Sequence, residues 1–442
     1  MRGSGGDIAP AADYLGDSRM APGQIRVILL CAVIALLDGF DTQAIGFVAP
    51  VIASAWKLPL PIFGPVFAVG LVGGLLGAVL FGFVADRMGR RVTLLSTVAL
   101  FATGTLLTIT ARTPLELGAL RFVTGLGLGG AMPSMIALAA EYAPTSRRNT
   151  LVTAMFCGFP LGAVIGAVAS VPLMATHGWE AVFLAGGIAP VVLLLALVMW
   201  LPESIGWLMA NGRQDQAATI LSRMGKAKST LPQPTEQPPR PSLRNLFHGR
   251  LGIGTVLLAL IFFVSLLLVF LLVSWIPAFA VQAGYSVRAG TLASAVLNLT
   301  GICGSLTICA LSDRNGAYRV VGTTYALGGA LISVLALLSS PAGAIFPFCV
   351  IAGFLCIGSQ MCAVSIASQF YPVALRGTGV GWAMGMGRFG GIAGPLIGAT
   401  LVSSGAGSLF WLVASLSGAA AVGILLMGRL TQIPSKTAEN ND

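Results

Sequence analysis

Apolar segments that are long enough to cross a bilayer recur twelve times along this chain of 442 residues. A helix of about 20 residues covers the roughly 30 Å of hydrocarbon in a membrane. The chain is 56% hydrophobic and only 9% charged, whereas about a quarter of the residues of a soluble domain are charged. The sequence therefore predicts an all-α polytopic membrane protein with twelve transmembrane helices, near 26–48, 62–84, 92–111, 114–142, 150–173, 180–201, 251–280, 287–311, 319–339, 343–370, 378–402 and 406–429.

The spans fall into two sets of six that are separated by a polar segment. The segment contains the run LPQPTEQPPRPS, whose prolines and polar residues are typical of a linker. No cleavable signal pattern precedes the first span, so we expect it to remain as an anchor. The predicted organisation is an N-terminal segment at 1–25, a six-helix bundle at 26–201, a linker at 202–250, a second six-helix bundle at 251–429 and a tail at 430–442.

Positive charge is distributed unequally between the loops on the two sides of the membrane. The formal net charge is +10, and 20 of the 25 Lys and Arg residues fall on one side. The other side receives only Lys57, Arg112 and Arg288. Because cytoplasmic loops carry the excess of Lys and Arg, both termini and the linker are predicted to be cytoplasmic. This distribution gives no support for nucleic-acid binding.

The sequence gives no sign of a bound metal or cofactor. All seven cysteines lie in predicted spans without a CxxC motif, which favours packing roles over a disulfide framework. The run GLGLGG at 125–130 resembles a dinucleotide-binding loop in composition, but it lies inside an apolar span with no preceding strand. We therefore expect no cofactor.

The two halves of the chain are copies of one unit. GFVADRMGRR at 82–91 recurs as ALSDRNGAYR at 310–319, and EYAPTSRRNT at 141–150 recurs as QFYPVALRGT at 369–378. Glycine pairs with small-xxx-small spacing, such as that at 162 and 166, recur at 390 and 394 and let helices approach closely. Parallel repeats predict a transporter whose substrate site lies near the midplane, where the halves meet.

Four charged side chains lie inside predicted spans, and each is present in one copy of the repeat only: Asp38, Asp41, Arg121 and Arg388. A charge near the centre of a spanning helix costs about 2.5–3.5 kcal/mol on insertion. Residues that maintain the fold tend to recur in both copies of a duplicated unit. Residues that bind one asymmetric ligand can be present in one copy only. These four residues are therefore the strongest candidates for a functional site.

The two aspartates are predicted to hold a proton. On a helix, residues three apart lie on one face about 5–6 Å from each other, and two like charges that close favour retention of a proton by one of them. The proton-coupling group predicted from the sequence is Asp38, Asp41, Arg121 and Glu141, the last near the cytoplasmic end of the fourth span. The alternative is a structural ion pair with Arg121, since intramembrane charges usually pair.

Arg388 is predicted to bind the carboxylate of a substrate near the midplane through its bidentate guanidinium. The alternative is a cap on neighbouring carbonyl groups. Polar and aromatic residues inside other spans are predicted to line the same cavity, although each one could instead make a helix-to-helix contact: Gln43, Asn298, Gln360, Phe159, Trp275 and Trp382.

Charged residues at the cytoplasmic helix ends are predicted to form salt bridges between helices that stabilise one state of a gate. The alternative is that they determine topology alone. The residues are Asp86, Arg87, Arg90, Arg91, Asp313 and Arg314.

Several segments carry the signature of a known family. GFVADRMGRR resembles the loop 2–3 motif of the major facilitator superfamily, SDRNGAYR its weaker loop 8–9 copy, and LPES at 201–204 the motif that often follows the sixth helix. LDGFDTQ at 37–43 is similar to the first-helix signature of the bacterial aromatic acid:proton symporters, as are the segments 125–148 and 376–395. One departure is that no histidine follows Asp313 in loop 8–9.

The resemblance implies the major facilitator fold and proton-coupled uptake of benzoate-type or hydroxylated aromatic acids across the inner membrane by a monomer. The functionally important residues of that family match Asp38, Asp41, Glu141, Asp313, Arg376 and Arg388, and we assign Arg376 to the gating group. Two alternatives stay open. CGFPLG at 157–162 resembles a motif of efflux exchangers, and a membrane-embedded enzyme would need a nucleophile and base that the sequence does not offer.

Overall fold

The computed structural model describes residues 20–223, 243–338 and 341–432, which fold almost entirely into helices. They form two compact units, one from 20–44, 69–166 and 172–223, the other from 45–68, 167–171, 243–338 and 341–432. Most of the predicted N-terminal segment and tail, and the proline-rich part of the linker, lie outside the described residues. The division into domains at 26–201 and 251–429 stays a prediction.

The first half of the chain contributes seven long or medium helices. Two of them, separated at Cys157, together make the predicted fifth span. The helices are α1 (Pro22–Trp56), α2 (Phe63–Met88), α3 (Arg90–Leu107), α4 (Pro114–Tyr142), α5 (Arg148–Phe156), α6 (Gly158–His177) and α7 (Glu180–Trp200).

Two short helices follow α7 where the sequence predicted only a linker, α8 (Ile205–Ala210) and α9 (Gln214–Arg223). The Ser204 side chain caps α8 by accepting a hydrogen bond from the backbone N–H of Trp207, which is a favoured helix start. Trp207 of α8 and Leu221 of α9 are buried in the same apolar core as residues of α1, α3, α4 and α7. The start of the predicted linker is therefore a folded part of the first unit.

The second half begins after a short 3₁₀ turn at Leu243–Phe247. Its tenth predicted span contains a π-helical turn, Ala352–Ile357, between two α-helices. The helices are α10 (Gly249–Gln282), α11 (Val287–Asn315), α12 (Ala317–Leu338), α13 (Pro341–Ile351), α14 (Gly358–Phe370), α15 (Val373–Ser404) and α16 (Ala406–Gln432).

Eleven helices of the described chain are long and apolar enough to cross a membrane. The remaining predicted span corresponds to α15, which has 32 residues and contains Arg376, Arg388 and many glycines. These residues make α15 less apolar, but its length exceeds the about 20 residues that a crossing needs. The architecture is that of an all-α polytopic membrane protein, as predicted.

Glycines at repeated positions bring helices into backbone contact in both units. A Cβ atom on Gly162 of α6 would lie 1.8 Å from the carbonyl oxygen of Leu36 on α1, and one on Gly390 of α15 would lie 2.0 Å from that of Phe263 on α10. Both distances are far shorter than van der Waals contact, so neither position accepts a side chain. The close packing predicted from the glycine spacing is confirmed. In both copies of the repeat, a glycine allows one helix to contact the backbone of another.

The repeated loop motif ends its first helix in the same way in both halves. Gly89, between α2 and α3, has a φ of 96°, and Gly316, between α11 and α12, has a φ of 87°. Glycine adopts this left-handed region without the steric cost that other residues meet there. The repeated glycine is therefore explained by the sharp turn between two successive helices.

One pair of cysteines departs from the expectation that all seven are packing residues. Cys309 of α11 and Cys362 of α14 form a disulfide. The two helices approach closely here, since a Cβ atom on Gly358 would lie 2.8 Å from the backbone of Gly304. The close approach of the backbones brings the two thiols within bonding reach.

Candidate functional site

Asp41 lies in the middle of α1 and forms a buried ion pair with Arg121 of α4. Its Oδ2 accepts a hydrogen bond from Nη1 of Arg121 at 3.1 Å, and its Oδ1 accepts one from the hydroxyl of Thr105 on α3 at 2.5 Å. Asp41 is 1% exposed and Arg121 is 4% exposed. Both carboxylate oxygens receive donors, which is the arrangement that stabilises an ionised carboxylate away from water.

Arg121 is held by further contacts on the side away from Asp41. Its Nη2 donates to the hydroxyl of Thr108 at 2.7 Å and to that of Thr124 at 3.2 Å. Its guanidinium carbon lies 4.9 Å from the centre of the Phe183 ring, within the range of a cation–π contact. Its Nε is buried without a hydrogen-bond partner among the described residues. The guanidinium is thus positioned by the cap of α3, by α4 and by α7 as well as by the aspartate.

Asp38 lies one helical turn before Asp41 and is 3% exposed. It accepts a hydrogen bond from the Thr42 hydroxyl at 3.1 Å and has a further interaction. Between the two aspartates, Gly39 lets α6 approach α1, because a Cβ atom there would lie 1.8 Å from the carbonyl oxygen of Phe159. The DGFD sequence therefore combines two buried carboxylates with a close helix contact. Phe159 contributes its backbone to that contact.

Glu141 belongs to a different part of the first unit. It lies 20 residues after Arg121 on α4, which is about 30 Å along a helix at about 1.5 Å per residue. Its carboxylate accepts hydrogen bonds from the Ser204 hydroxyl at 2.7 and 2.8 Å. The structure brings together Asp38, Asp41 and Arg121, but it does not bring Glu141 to them.

Glu203 is a functional candidate that the residue-by-residue prediction missed. Its Oε1 accepts hydrogen bonds from the backbone N–H groups of Arg90, Arg91 and Ser204 at 2.7, 3.0 and 2.8 Å. The first two are unsatisfied N–H groups at the start of α3, where the helix dipole also favours an anion. A Cβ atom on Gly89 would lie 2.3 Å from this carboxylate. The LPES segment therefore caps the helix that follows the loop 2–3 motif.

Removing the Glu203 carboxylate is expected to destabilise the first unit. Glu203→Ala leaves three backbone N–H groups without their acceptor and should cost about 1–3 kcal/mol, measured as a lower thermal unfolding midpoint in detergent. Glu203→Gln keeps one acceptor oxygen and should lose less. Glu180→Ala, at an exposed position at the start of α7, is the control, and equal midpoints for Glu203→Ala and this control would contradict the capping role.

The charged residues predicted to act in gating are mostly exposed. Arg90 forms an ion pair with Asp86 at 3.3 Å, and Nη2 of Arg91 donates to the carbonyl of Val198 on α7 at 2.7 Å. The others are exposed and form no ion pair with a described residue: Arg87, Asp313, Arg314 and Arg376. The loop 2–3 motif thus joins α2, α3 and α7, while the gating role itself stays a prediction.

Trp275, predicted to line a cavity, is fully buried in the second unit. Its Nε1 donates to the carbonyl of Pro395 at 2.9 Å, and its ring meets that of Phe67 edge-on at a centroid distance of 5.3 Å. A Cβ atom on Gly398 would lie 2.3 Å from the Trp275 ring. In this structure the residue packs between helices, and contact with a substrate stays a prediction.

The other residues predicted to bind substrate differ in exposure. Gln43 and Asn298 are buried, and Asn298 donates to the carbonyl of Ser294 at 2.9 Å. Gln360, Trp382 and Arg388 are half-buried. The Trp382 ring meets that of Phe247 edge-on at 5.6 Å, next to the start of α10.

Long apolar helices that enclose a hydrogen-bonded charge pair are typical of a polytopic membrane protein. The model of the Major Facilitator Superfamily matches residues 31–395, and this chain belongs to that superfamily. The fold agrees with this assignment. The structure of the xylose transporter XylE from E. coli in a partially occluded inward open conformation has a TM-score of 0.70 at 18% identity and covers 95% of this chain and 99% of its own.

Relatives in sequence are transporters of aromatic acids. The chain is 38% identical to a gallate transporter of Pseudomonas putida, covering 96% of this chain and 97% of that protein. It is 35% identical to the 4-hydroxybenzoate transporter PcaK of Pseudomonas aeruginosa, covering 89% of each. The resemblance stated from the loop and first-helix motifs is confirmed.

Proposed function

We propose that this protein is a secondary active transporter that takes up aromatic carboxylic acids of the benzoate or hydroxybenzoate class together with protons, by alternating access. The observation that carries the proton coupling is the buried Asp41–Arg121 pair beside the second buried carboxylate of Asp38. Intramembrane ionisable groups that pair with one another are typical of proton relays in transporters. The aromatic cargo follows from relatives that transport gallate and 4-hydroxybenzoate.

The substrate carboxylate is assigned to Arg388. It is half-buried on α15, a helix whose counterpart in the first half carries proline at the equivalent position, Pro160. A planar guanidinium presents donors that match the two oxygens of a carboxylate. An aromatic monoanion therefore has both a cation for its charge and apolar helix surface for its ring.

Coupling follows from the energetics of the buried pair. When Asp41 is ionised it attracts Arg121, and when a proton neutralises Asp41 that attraction is lost. The two protonation states therefore favour different contacts between α1 and α4. One proton carried with one monoanion is electroneutral, so the pH gradient and the substrate gradient would drive uptake. Each additional proton would add about 2.3 kcal/mol per 100 mV of membrane potential.

The orientation and location are part of the same proposal. The Lys and Arg excess in the loops after the even-numbered spans favours cytoplasmic termini. The relatives named above are bacterial proteins, so we assign this chain to the bacterial inner membrane, where it would work as a monomer.

Uptake into proteoliposomes tests the function. With an alkaline interior, the wild-type protein should accumulate labelled 4-hydroxybenzoate above the outside concentration, and a protonophore should abolish the accumulation. Arg388→Ala should lose both substrate binding and uptake, whereas Arg429→Ala, exposed at the end of α16, should retain them.

The alternative, a proton-coupled efflux exchanger of lipophilic drugs or organic acids, makes the opposite prediction. Preloaded vesicles would then release substrate against its gradient when protons enter, and an inward proton gradient would give no accumulation. Chemically altered substrate recovered after uptake would indicate an enzyme and would contradict the transporter assignment.

A further inference from the structure

Three buried threonines surround the Asp41–Arg121 pair, and none of them belongs to the charged set that the sequence pointed to. Thr105 lies in the last turn of α3, Thr108 is the C-terminal cap of the same helix, and Thr124 lies one turn after Arg121 on α4. Their exposed fractions are 0%, 0% and 1%. Buried hydroxyls within hydrogen-bond distance of a buried ion pair affect its energy directly, because hydrogen bonds are electrostatically stronger in the low dielectric of a protein interior.

The direction of each hydrogen bond is fixed by the single proton of each hydroxyl. Thr108 donates its proton to the carbonyl of Gly104 at 2.8 Å, and Thr124 donates to the carbonyl of Leu120 at 2.9 Å. Towards Arg121 these two hydroxyls can therefore only accept. They act as neutral acceptors for the guanidinium whatever the state of the carboxylate.

Thr105 has the opposite role. Its hydroxyl donates to Oδ1 of Asp41 at 2.5 Å. A donor at this position stabilises the ionised carboxylate more than the neutral acid, whose oxygens are weaker acceptors. Protonation on Oδ1 would oblige the Thr105 hydroxyl to rotate away. The hydroxyl thus responds to the charge of Asp41.

We propose that Thr105 is a positioning residue that sets the pH at which Asp41 takes up its proton, while Thr108 and Thr124 hold Arg121 in place when Asp41 is neutral. Besides Asp41, the charged side chains that the described residues place at this site are Asp38 on the same helix and Arg121 on α4. The α3 side presents hydroxyls, and the α7 side presents the Phe183 ring. The proposal rests on the proton-coupled function proposed above, because it assigns Asp41 to that step.

Substitutions of Thr105 and Thr108 are expected to change the pH at which Asp41 is protonated in opposite directions. Thr105→Val removes a donor to the ionised carboxylate, so Asp41 should become protonated at higher pH. Thr108→Val removes an acceptor on which Arg121 depends most when Asp41 is neutral, so Asp41 should remain ionised to lower pH. A general loosening of the core would move both variants in one direction.

Infrared titration of the purified protein measures this directly through the C=O band of the protonated carboxyl group, assigned by its loss in Asp41→Asn. Thr105→Val should raise the midpoint, because it removes a hydrogen bond to the charged form of the carboxyl group. Thr108→Val should lower it. Thr105→Ser keeps the hydroxyl and should restore the wild-type midpoint.

Thr97→Val is the matched control, since Thr97 is equally buried on α3 but donates to the backbone carbonyl of Thr93. Its midpoint should equal that of the wild type. A wild-type midpoint in Thr105→Val, an equal shift in Thr97→Val, or the absence of any Asp41-dependent band would overturn the proposal. Failure of the proposed function would appear separately, as wild-type vesicles that do not accumulate aromatic acids.

Discussion

Asp41→Asn is expected to abolish accumulation of substrate against a gradient while leaving exchange of substrate across the membrane intact. Asparagine keeps the size and one acceptor oxygen of the aspartate but cannot take up a proton. The variant should therefore still bind substrate and move it in both directions without coupling to the pH gradient. In proteoliposomes, labelled substrate should equilibrate across the membrane, and counterflow into preloaded vesicles should persist.

Two comparisons make this result specific. Asp215→Asn, at an exposed position on α9, should accumulate substrate like the wild type. Asp38→Asn shows whether the second carboxylate shares the role. If Asp38→Asn loses accumulation and Asp41→Asn does not, the proton carrier is Asp38, and if both accumulate substrate normally, neither aspartate is required for coupling.

The aspartate environment was predictable in part. The composition and the repeat identified which charges lie inside spans and are unique to one half, and the tendency of such charges to pair pointed to Arg121. Which aspartate forms the pair was not predictable, because Asp38 and Asp41 lie on one face of a helix and differ by one turn. The structure shows Asp41 paired with Arg121 of α4 and hydrogen-bonded to Thr105 of α3.

The threonine contacts were missed for a different reason. A threonine in an apolar helix usually donates to a carbonyl of the preceding turn, as Thr108 and Thr124 do. The amino-acid sequence does not show from which groups the hydroxyl oxygen of such a threonine accepts hydrogen bonds. Thr105 lies 64 residues from Asp41 along the chain. No periodicity connects them, so the contact becomes visible only once the helices are packed.

The capping role of Glu203 was hidden because its partners are backbone N–H groups. Any residue other than proline at positions 90 and 91 would present the same donors, so no side-chain pattern marks the contact. The LPES motif pointed to this segment only through the family resemblance. The packing of α8 and α9 into the core was also not predictable from the sequence. Both helices are short, and their few apolar residues do not form a pattern long enough to predict a buried helix.

Arg121→Met is expected to produce the largest loss of stability among single changes at the site, and the loss should depend on pH. The variant leaves the Asp41 carboxylate buried without its cation, and breaking a buried pair from one side typically costs about 3–5 kcal/mol. Above the pH at which Asp41 is protonated the full loss should be present, and it should diminish at lower pH as the carboxylate becomes neutral. Thermal unfolding in detergent at two pH values measures this.

The double variant Asp41→Asn/Arg121→Met should recover most of the lost stability, because it leaves neither charge buried without its partner. The pH dependence of the stability loss in Arg121→Met should also disappear, since the double variant has no carboxylate at position 41. Arg112→Met, exposed before α4, is the control and should unfold like the wild type. The double variant also separates the two interpretations of the pair. A stable double variant that accumulates substrate would make the pair a structural feature alone, whereas a stable double variant that only exchanges substrate assigns the pair to proton coupling.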